Sequence, residues 1–167
     1  MLSSQRLLFR RYDNNDFPFL MSLLSDPAVV QFIGNGKPRD ENEGKKFLSW
    51  IYRTYESNKN MGLMVLVNKA DNTLIGHAGL VPQTIDGKEE IEIGYWISRE
   101  HWGKGYATEA AHTLLEHGTK HLQHERFIAL IQPDNFASQH VAQKIGMSLD
   151  KKLVLNGQDV HVYSKYT

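Results

Sequence analysis

The sequence predicts a mixed α/β fold in which about seven strands form a mostly antiparallel sheet, with one parallel pair and about four helices. Three strand-like segments, 61–67, 74–81 and 90–97, are separated by short turns, a pattern typical of a β-meander. Residues 106–121 then repeat apolar and small side chains at helical spacing, and a strand-like segment at 126–131 follows. Because a strand–helix–strand crossover makes its two strands parallel, we expect the fourth and fifth strands to be the parallel pair.

The N-terminal segments precede the meander. Residues 6–10 are predicted to form a first strand, and the side chains of 13–16 are typical of the N-cap of a helix that runs to Leu24. Asp26-Pro27 is expected to break that helix. A second helix is predicted over roughly 40–55, where the apolar residues again recur at helical spacing.

The C-terminal segments complete the sheet. Residues 136–145 are predicted to form a helix that Gly146 ends, because glycine readily adopts the left-handed conformation after a helix. Residues 149–155 and 160–166 are predicted to pair as a closing hairpin around an Asn-Gly turn.

The composition is that of one globular domain, residues 1–167, with 41% hydrophobic and 23% charged residues. Nineteen basic and nineteen acidic residues leave no net charge, which argues against non-specific binding to nucleic acid or to an anionic membrane. The absence of cysteine excludes a disulfide and an acetyl-cysteine intermediate. With neither the apolar run of a signal peptide nor an 18-residue apolar stretch, we expect a cytoplasmic protein, a monomer or a homodimer.

Residues 90–108 join a strand, a glycine-rich loop and the start of a helix. The strand alternates, with four apolar side chains on one face: Ile91, Ile93, Tyr95 and Ile97. Glycines allow backbone N–H groups to converge on a ligand, and a helix N-terminus carries about half a positive charge. The segment therefore predicts a phosphate site, although a tight turn without a ligand would use the same glycines. It is not a dinucleotide fingerprint, since Thr108 replaces the third glycine, nor a P-loop, which ends in Gly-Lys-Ser/Thr.

Residues 102–107 resemble the acetyl-CoA-binding loop of the GNAT superfamily of N-acetyltransferases, whose pattern is Gln/Arg-x-x-Gly-x-Gly/Ala. Gly105 and Ala107 match its fourth and sixth positions, and Trp102 departs from the first. With Gly-Tyr-Trp at 94–96, the segment resembles the branch that contains the ribosomal-protein N-terminal (alanine/serine) acetyltransferases. The resemblance covers nearly the whole chain and implies acetyl-CoA as the acetyl donor. The residues that it implies as donor contacts are Ile97, Trp102, Gly103, Lys104, Gly105, Tyr106, Ala107 and Thr108.

A second segment, 132–138, follows the fifth strand. Asn135 is well placed to cap the next helix and Ser138 falls in its first turn, so plain helix capping explains both residues. The spacing Asn-x-x-Ser also resembles the corresponding GNAT segment. The resemblance implies that Asn135 contacts the pantetheine arm of the donor and that Ser138 protonates the departing CoA thiolate. Tyr106 and Tyr163 are alternative hydroxyls for that role.

Acetyl transfer to an amine also requires a base that removes the amine proton. Glu92 is the first candidate for this catalytic role and for contact with the acceptor, because it lies in the strand that leads into the glycine loop. A solvated strand face shared with Glu90 is the alternative interpretation. His77 is the second candidate base, although a core or surface histidine would show the same pattern. Phe32 is a candidate for lining the acceptor pocket, and an ordinary core aromatic is the alternative.

The predicted function is direct transfer of an acetyl group from acetyl-CoA to an amine. No metal is expected, because the spacing of His117, His121 and His124 favours a polar helix face. An α-amine titrates near pH 7.7–8 and a lysine amine near 10.4, which makes the α-amine easier to deprotonate. The predicted acceptor loop, 33–40, has no acidic cluster beyond Asp40 and its neighbour Glu41, so a peptide or protein N-terminus is favoured. The alternatives are a small-molecule amine such as a polyamine, antibiotic or metabolite, a non-catalytic acyl-CoA-binding regulator, and a nucleotide-binding module.

Overall fold

Seven strands form one sheet in the computed structural model, which describes residues 1–58 and 60–167. In chain order they are β1 (Leu7–Arg11), β2 (Gly62–Asn68), β3 (Leu74–Ile85), β4 (Lys88–Ile97), β5 (Arg126–Ile131), β6 (Ser148–Leu155) and β7 (Gln158–Tyr166). Their spatial order is β1-β2-β3-β4-β5-β7-β6. Every neighbouring pair is antiparallel except β4 and β5, which are parallel. The predicted mixed sheet with one parallel pair is therefore confirmed.

Five α-helices lie within the described residues. They are α1 (Phe17–Leu24), α2 (Pro27–Val30), α3 (Glu41–Ser57), α4 (Tyr106–Lys120) and α5 (Phe136–Lys144). Four of them were predicted, and the short α2 was missed. Pro27 indeed separates α2 from α1, but it also begins α2, where a missing N–H costs nothing. The Asp26 side chain caps this turn by accepting from the Ala28 N–H at 3.0 Å.

The two faces of the sheet carry separate apolar clusters. On one face, α4 packs Ala110 and Leu114 against strand residues such as Phe127. On the other face, α3 packs Ile51 against residues such as Val65. Along β4, Ile91, Ile93, Tyr95 and Ile97 pack with the first cluster, whereas Trp96 packs with the second. The predicted alternation of this strand is therefore confirmed.

Local signals place the helix ends close to where they were predicted. Asp40 forms a capping box with Glu43 at the start of α3, and Asp13 forms one with Asp16 in a 3-10 turn before α1. Gly146, with φ +91°, follows α5 as its predicted stop. None of the described helices has the length and apolar character needed to span a membrane.

Candidate active site

A cavity of about 560 Å³ opens where the two parallel strands separate. Glu92 of β4 and Ile128 of β5 are the residues that pair between these two strands. Beyond this point, residues 93–97 and 129–131 line the cavity instead of extending the pair. Backbone groups that face the gap are therefore available to a ligand rather than to a neighbouring strand. A cavity of this size suits a small-molecule ligand.

The glycine-rich loop, residues 102–105, leads from β4 into α4. Gly103 (φ +74°) and Gly105 (φ +81°) lie in the left-handed region, which side chains disfavour. Trp102 anchors the start of the loop, because its indole N–H donates to the carbonyl of Ile97 at 2.7 Å. Gly105 is the N-cap of α4 and has no side chain to cap it, so the first-turn N–H groups and the positive end of the helix dipole remain available. A loop of this kind can hold an anion.

The structure brings the predicted donor contacts together, with one exception. The predicted residues that line the cavity are Ile97, Trp102, Gly103, Gly105, Tyr106, Ala107, Thr108, Asn135 and Ser138. The predicted acceptor contacts Phe32 and Glu92 line the same cavity. Among these described residues only Lys104 is outside the lining. Its side chain is exposed, and its carbonyl accepts a hydrogen bond from Arg6 Nη1 at 2.9 Å.

Glu92 occupies the point where β4 and β5 separate. Its Oε1 accepts from Gln83 Nε2 at 2.9 Å, and its carboxylate also accepts from the backbone N–H of Leu130 in β5. The surrounding protein desolvates the carboxyl group and thereby raises its pKa above the ordinary glutamate value, although both hydrogen bonds oppose the shift. A carboxylate with a raised pKa is a stronger base than an exposed one. Glu90, by contrast, is ion-paired with Arg126, with Nε–Oε1 at 3.0 Å.

Asn135 and Ser138 lie at the start of α5, and both roles considered for Asn135 are compatible with its position. Asn135 Oδ1 accepts from the Ser138 N–H at 3.2 Å and thus caps α5, while its side chain also lines the cavity. The capping bond uses the backbone of Ser138, so it does not engage the Ser138 hydroxyl. Ser138 is half-buried and lines the cavity.

The tyrosine hydroxyls that could replace Ser138 as the acid differ in their positions relative to the cavity. Tyr163 is 5% exposed within the apolar core and is outside the cavity lining as described. Tyr106 lines the cavity, but its hydroxyl accepts from Asn68 Nδ2 at 3.1 Å. Tyr95 was missed as a candidate: it lines the cavity, and its hydroxyl donates to the Ser138 carbonyl at 3.2 Å. Burial raises the pKa of Tyr95 to about 12.

His77 lies in the core and outside the described lining of the cavity. Its side chain is fully buried, and its Nδ1 is 2.6 Å from the hydroxyl of Tyr12. Burial lowers the pKa of His77 to about 3, so the ring is neutral at physiological pH. Trp96, at a ring-centroid distance of 4.8 Å from His77, does line the cavity.

Other cavity residues were also missed by the sequence analysis. Examples are Ala28, Val29, Gln31, His101, Leu130 and Lys144. Ala28, Val29 and Gln31 come from α2 and the turn after it, which has no periodic pattern. Their only sequence signal was their proximity to Phe32. No group of three potential metal ligands occurs among residues 1–58 and 60–167.

Comparison with known proteins identifies the family. Residues 6–148 match the model of the acetyltransferase (GNAT) domain. The chain therefore belongs to the GNAT family and is an N-acetyltransferase. Enzymes of this family take the acetyl group from acetyl-CoA, and the residues present fit that donor. The uncapped α4 N-terminus suits phosphates, and the gap between β4 and β5 offers backbone groups to an extended ligand.

Four relatives illustrate the similarity. YkkB of Bacillus subtilis (strain 168) is 34% identical over 165 residues, which are 98% of this chain and 94% of YkkB. The solved GNAT-family acetyltransferase from Bacillus anthracis has a TM-score of 0.82 at 26% identity, covering 99% of this chain and 97% of that one.

The ribosomal-protein-serine acetyltransferase of Escherichia coli (strain K12) is 32% identical over 80 residues, 44% of this chain and 45% of that protein. Spermidine N-acetyltransferase from Vibrio cholerae, solved with CoA and spermine, shares the fold at a TM-score of 0.76 and 19% identity, covering 96% and 95% of the two chains.

Proposed function

We propose that this single-domain, cytoplasmic enzyme transfers an acetyl group directly from acetyl-CoA to the α-amine of a peptide or protein N-terminus. The observation that carries the proposal is the composition of the cavity between β4 and β5. Among the described lining residues, Glu92 is the only acidic side chain, and the glycine loop and Ser138 line the same cavity. One enclosed carboxylate suits the removal of a proton from a single amine.

The residues of the glycine loop and of α5 hold the donor in this proposal. Backbone N–H groups of residues 103–108 bind its pyrophosphate, and Asn135 contacts its pantetheine arm. The donor supplies a thioester whose carbonyl carbon is the site of attack. Backbone N–H groups of 93–97 that face the gap polarise the thioester carbonyl, because no β5 ladder competes for them.

Two side chains move protons during the transfer. Glu92 accepts a proton from the acceptor ammonium and later releases it to solvent, and the neutral amine attacks the thioester carbon, forming the C–N bond of a tetrahedral adduct. As the C–S bond of the adduct breaks, Ser138 donates its hydroxyl proton to the departing thiolate and recovers a proton from the nitrogen of the adduct. Proton balance is thus kept without a covalent acyl-enzyme, as the absence of cysteine predicts.

The choice of an α-amine follows from the free energy of deprotonation. A lysine-type amine has a pKa about 2.5 units above that of an α-amine, so its neutral form costs about 3.4 kcal/mol more at pH 7. A polyamine carries several positive charges and would favour several carboxylates, yet the described lining combines Glu92 with the basic Lys144. The name of the E. coli ribosomal-protein-serine acetyltransferase supports the same acceptor class.

The expected result is a higher kcat/KM for a short peptide with a free α-amine than for its N-blocked, lysine-containing counterpart or for spermidine. The three acceptors are compared at one pH and one acetyl-CoA concentration. A preference for the blocked peptide would assign the enzyme to lysine side chains. A preference for spermidine would assign it to polyamines, and either result contradicts the proposed acceptor.

The Gly105→Val variant tests the loop. Valine is strained at the φ of +81° that Gly105 adopts, and relief of this strain turns the Gly105 N–H away from the pyrophosphate, so we expect the affinity for acetyl-CoA to fall at least about tenfold, or about 1.4 kcal/mol. A Cβ at Gly105 has Arg6 Nη2 as its nearest neighbour at 3.5 Å, an ordinary contact. The measurement is the Kd for acetyl-CoA by calorimetry.

Gly157→Val is the matched control. Gly157 has φ +79° and no atom within 4 Å of an added Cβ, and it lies in the turn between β6 and β7. Both variants therefore bear a similar backbone strain of about 1–3 kcal/mol. We expect Gly157→Val to bind acetyl-CoA like the wild type. Equal affinities of all three folded proteins would exclude the loop as the donor site.

A further inference from the structure

The segment that precedes β1 contacts the glycine loop through Arg6. Arg6 Nη1 donates to the carbonyl of Lys104 at 2.9 Å, and Arg6 Nε donates to Glu109 Oε1 at 2.7 Å. The guanidinium carbon lies 4.3 Å from the centroid of the Tyr106 ring. One planar side chain thus contacts the loop, the first residue of α4 and the first turn of α4.

Glu109 binds both the side chain and the backbone of Arg6. Its Oε2 accepts from the Ser4 hydroxyl at 2.5 Å and from the Arg6 backbone N–H at 2.9 Å. Partial burial opposes ionisation, but these hydrogen bonds and the charge of Arg6 outweigh it and lower the pKa of Glu109 below the ordinary value. Glu109 is therefore ionised at neutral pH and fixes the guanidinium in a charge-assisted pair.

The bond to Lys104 determines the direction of the next N–H group. Because a peptide unit is planar and trans, its C=O and N–H point in opposite directions. When Arg6 holds the carbonyl of Lys104, the N–H of Gly105 points away from Arg6. No acceptor for this N–H is recorded among residues 1–58 and 60–167, and Gly105 lines the cavity. Glycine on its own would allow the peptide unit to rotate.

We propose that Arg6 is a positioning residue for the donor: it holds the Lys104–Gly105 peptide unit in the orientation that presents the Gly105 N–H to the pyrophosphate. This inference rests on the proposed acetyl-CoA site. Arg6 acts from behind the loop, since it is outside the described lining of the cavity. The role needs the fork of a guanidinium, which makes two bonds in a fixed geometry that an ammonium does not reproduce.

The test compares Arg6→Gln and Arg6→Lys with the wild type by calorimetry with CoA. We expect both variants to bind CoA about tenfold more weakly. Kinetics with S-acetylpantetheine, which has the same thioester and lacks the phosphates, provide the second measurement. We expect its kcat/KM to remain within about twofold of the wild type in both variants, because no pyrophosphate is presented to the loop.

Arg10→Gln is the control for the loss of an ion pair. Arg10 bonds Asp16 through both terminal nitrogens at 2.9 Å, and its side chain is 35% exposed, against 40% for Arg6. We expect this variant to bind CoA normally. Unchanged CoA affinity in the Arg6 variants would overturn the inference, and so would equal losses with both donors or full rescue by lysine. A wild-type protein that does not bind CoA would instead refute the proposed donor site itself.

Discussion

The Glu92→Gln variant is expected to fold normally and to lose about 10²-fold in kcat, the range of a missing general base. The amide has no free lone pair of comparable basicity, so it cannot accept the proton of the acceptor amine. Its oxygen can still accept the hydrogen bonds that Glu92 receives from Gln83 and from the Leu130 N–H. The measurements are steady-state kinetics and the free energy of unfolding.

The pH dependence follows from the raised pKa of Glu92. Only the ionised form acts as a base, so kcat/KM decreases as pH falls through this raised value. The Gln variant should not show this decrease at low pH. For stability the sign is opposite: the protonated carboxyl is favoured by burial, and its contribution is present at low pH and lost as pH rises through the folded-state pKa. At neutral pH the Gln variant should therefore be at least as stable as the wild type.

Glu90→Gln is the matched control for this experiment. Glu90 lies on the same strand and face two residues away, but it bonds Arg126 and is outside the described cavity lining. We expect its kcat to stay within about twofold of the wild type. A Glu92→Gln enzyme of normal activity, or equal losses in both variants, would contradict the role of Glu92 as the base.

The Ser138→Ala variant is expected to lower kcat by about 10²-fold or more while the KM for acetyl-CoA changes little. Removing the hydroxyl withdraws the proton donor for the departing thiolate. The fold should be retained, because the cap of α5 uses the Asn135 side chain and the backbone N–H of residue 138, which alanine keeps. Kinetics with saturating acceptor and a thiol-release assay measure the effect.

Tyr95→Phe separates the contributions of Tyr95 and Ser138, two hydroxyl-bearing residues that line the cavity. The Tyr95 hydroxyl donates to the Ser138 carbonyl, and burial raises its pKa to about 12, so it stays protonated at neutral pH. If Ser138 is the acid, Tyr95→Phe should reduce kcat much less than Ser138→Ala. A large loss in Tyr95→Phe together with normal activity in Ser138→Ala would transfer the acid role to Tyr95.

Much of the fold was predictable because its signals are local. Alternation along β4, the helical spacing in α4 and the capping residues Asp40 and Asn135 each depend on neighbours within a few positions. The crossover through α4 then determined which two strands are parallel. The short α2 was missed because four residues are too few to show a helical period, and its proline resembles a break.

The candidate site was predictable only in part. The glycine loop and Ser138 were found through a recognisable spacing along the chain. Tyr95 was assigned only to an apolar strand face, and its contact with Ser138, 43 positions later, depends on how α5 packs beside β4. Lys104 was predicted as a donor contact, but its carbonyl is held from outside the cavity by Arg6.

The sequence by itself determined the order along the chain of the seven strands and of four of the five described helices, and it located the glycine loop and the two candidate bases, Glu92 and His77. Only the tertiary structure decided that β4 and β5 separate after Glu92, that α2 contributes to the cavity lining together with Phe32, and that Arg6 bonds a loop 98 positions away. The physical reason is the range of the interactions. Backbone propensity, capping and periodic burial act between near neighbours, whereas a cavity and its supporting contacts depend on the simultaneous packing of distant segments.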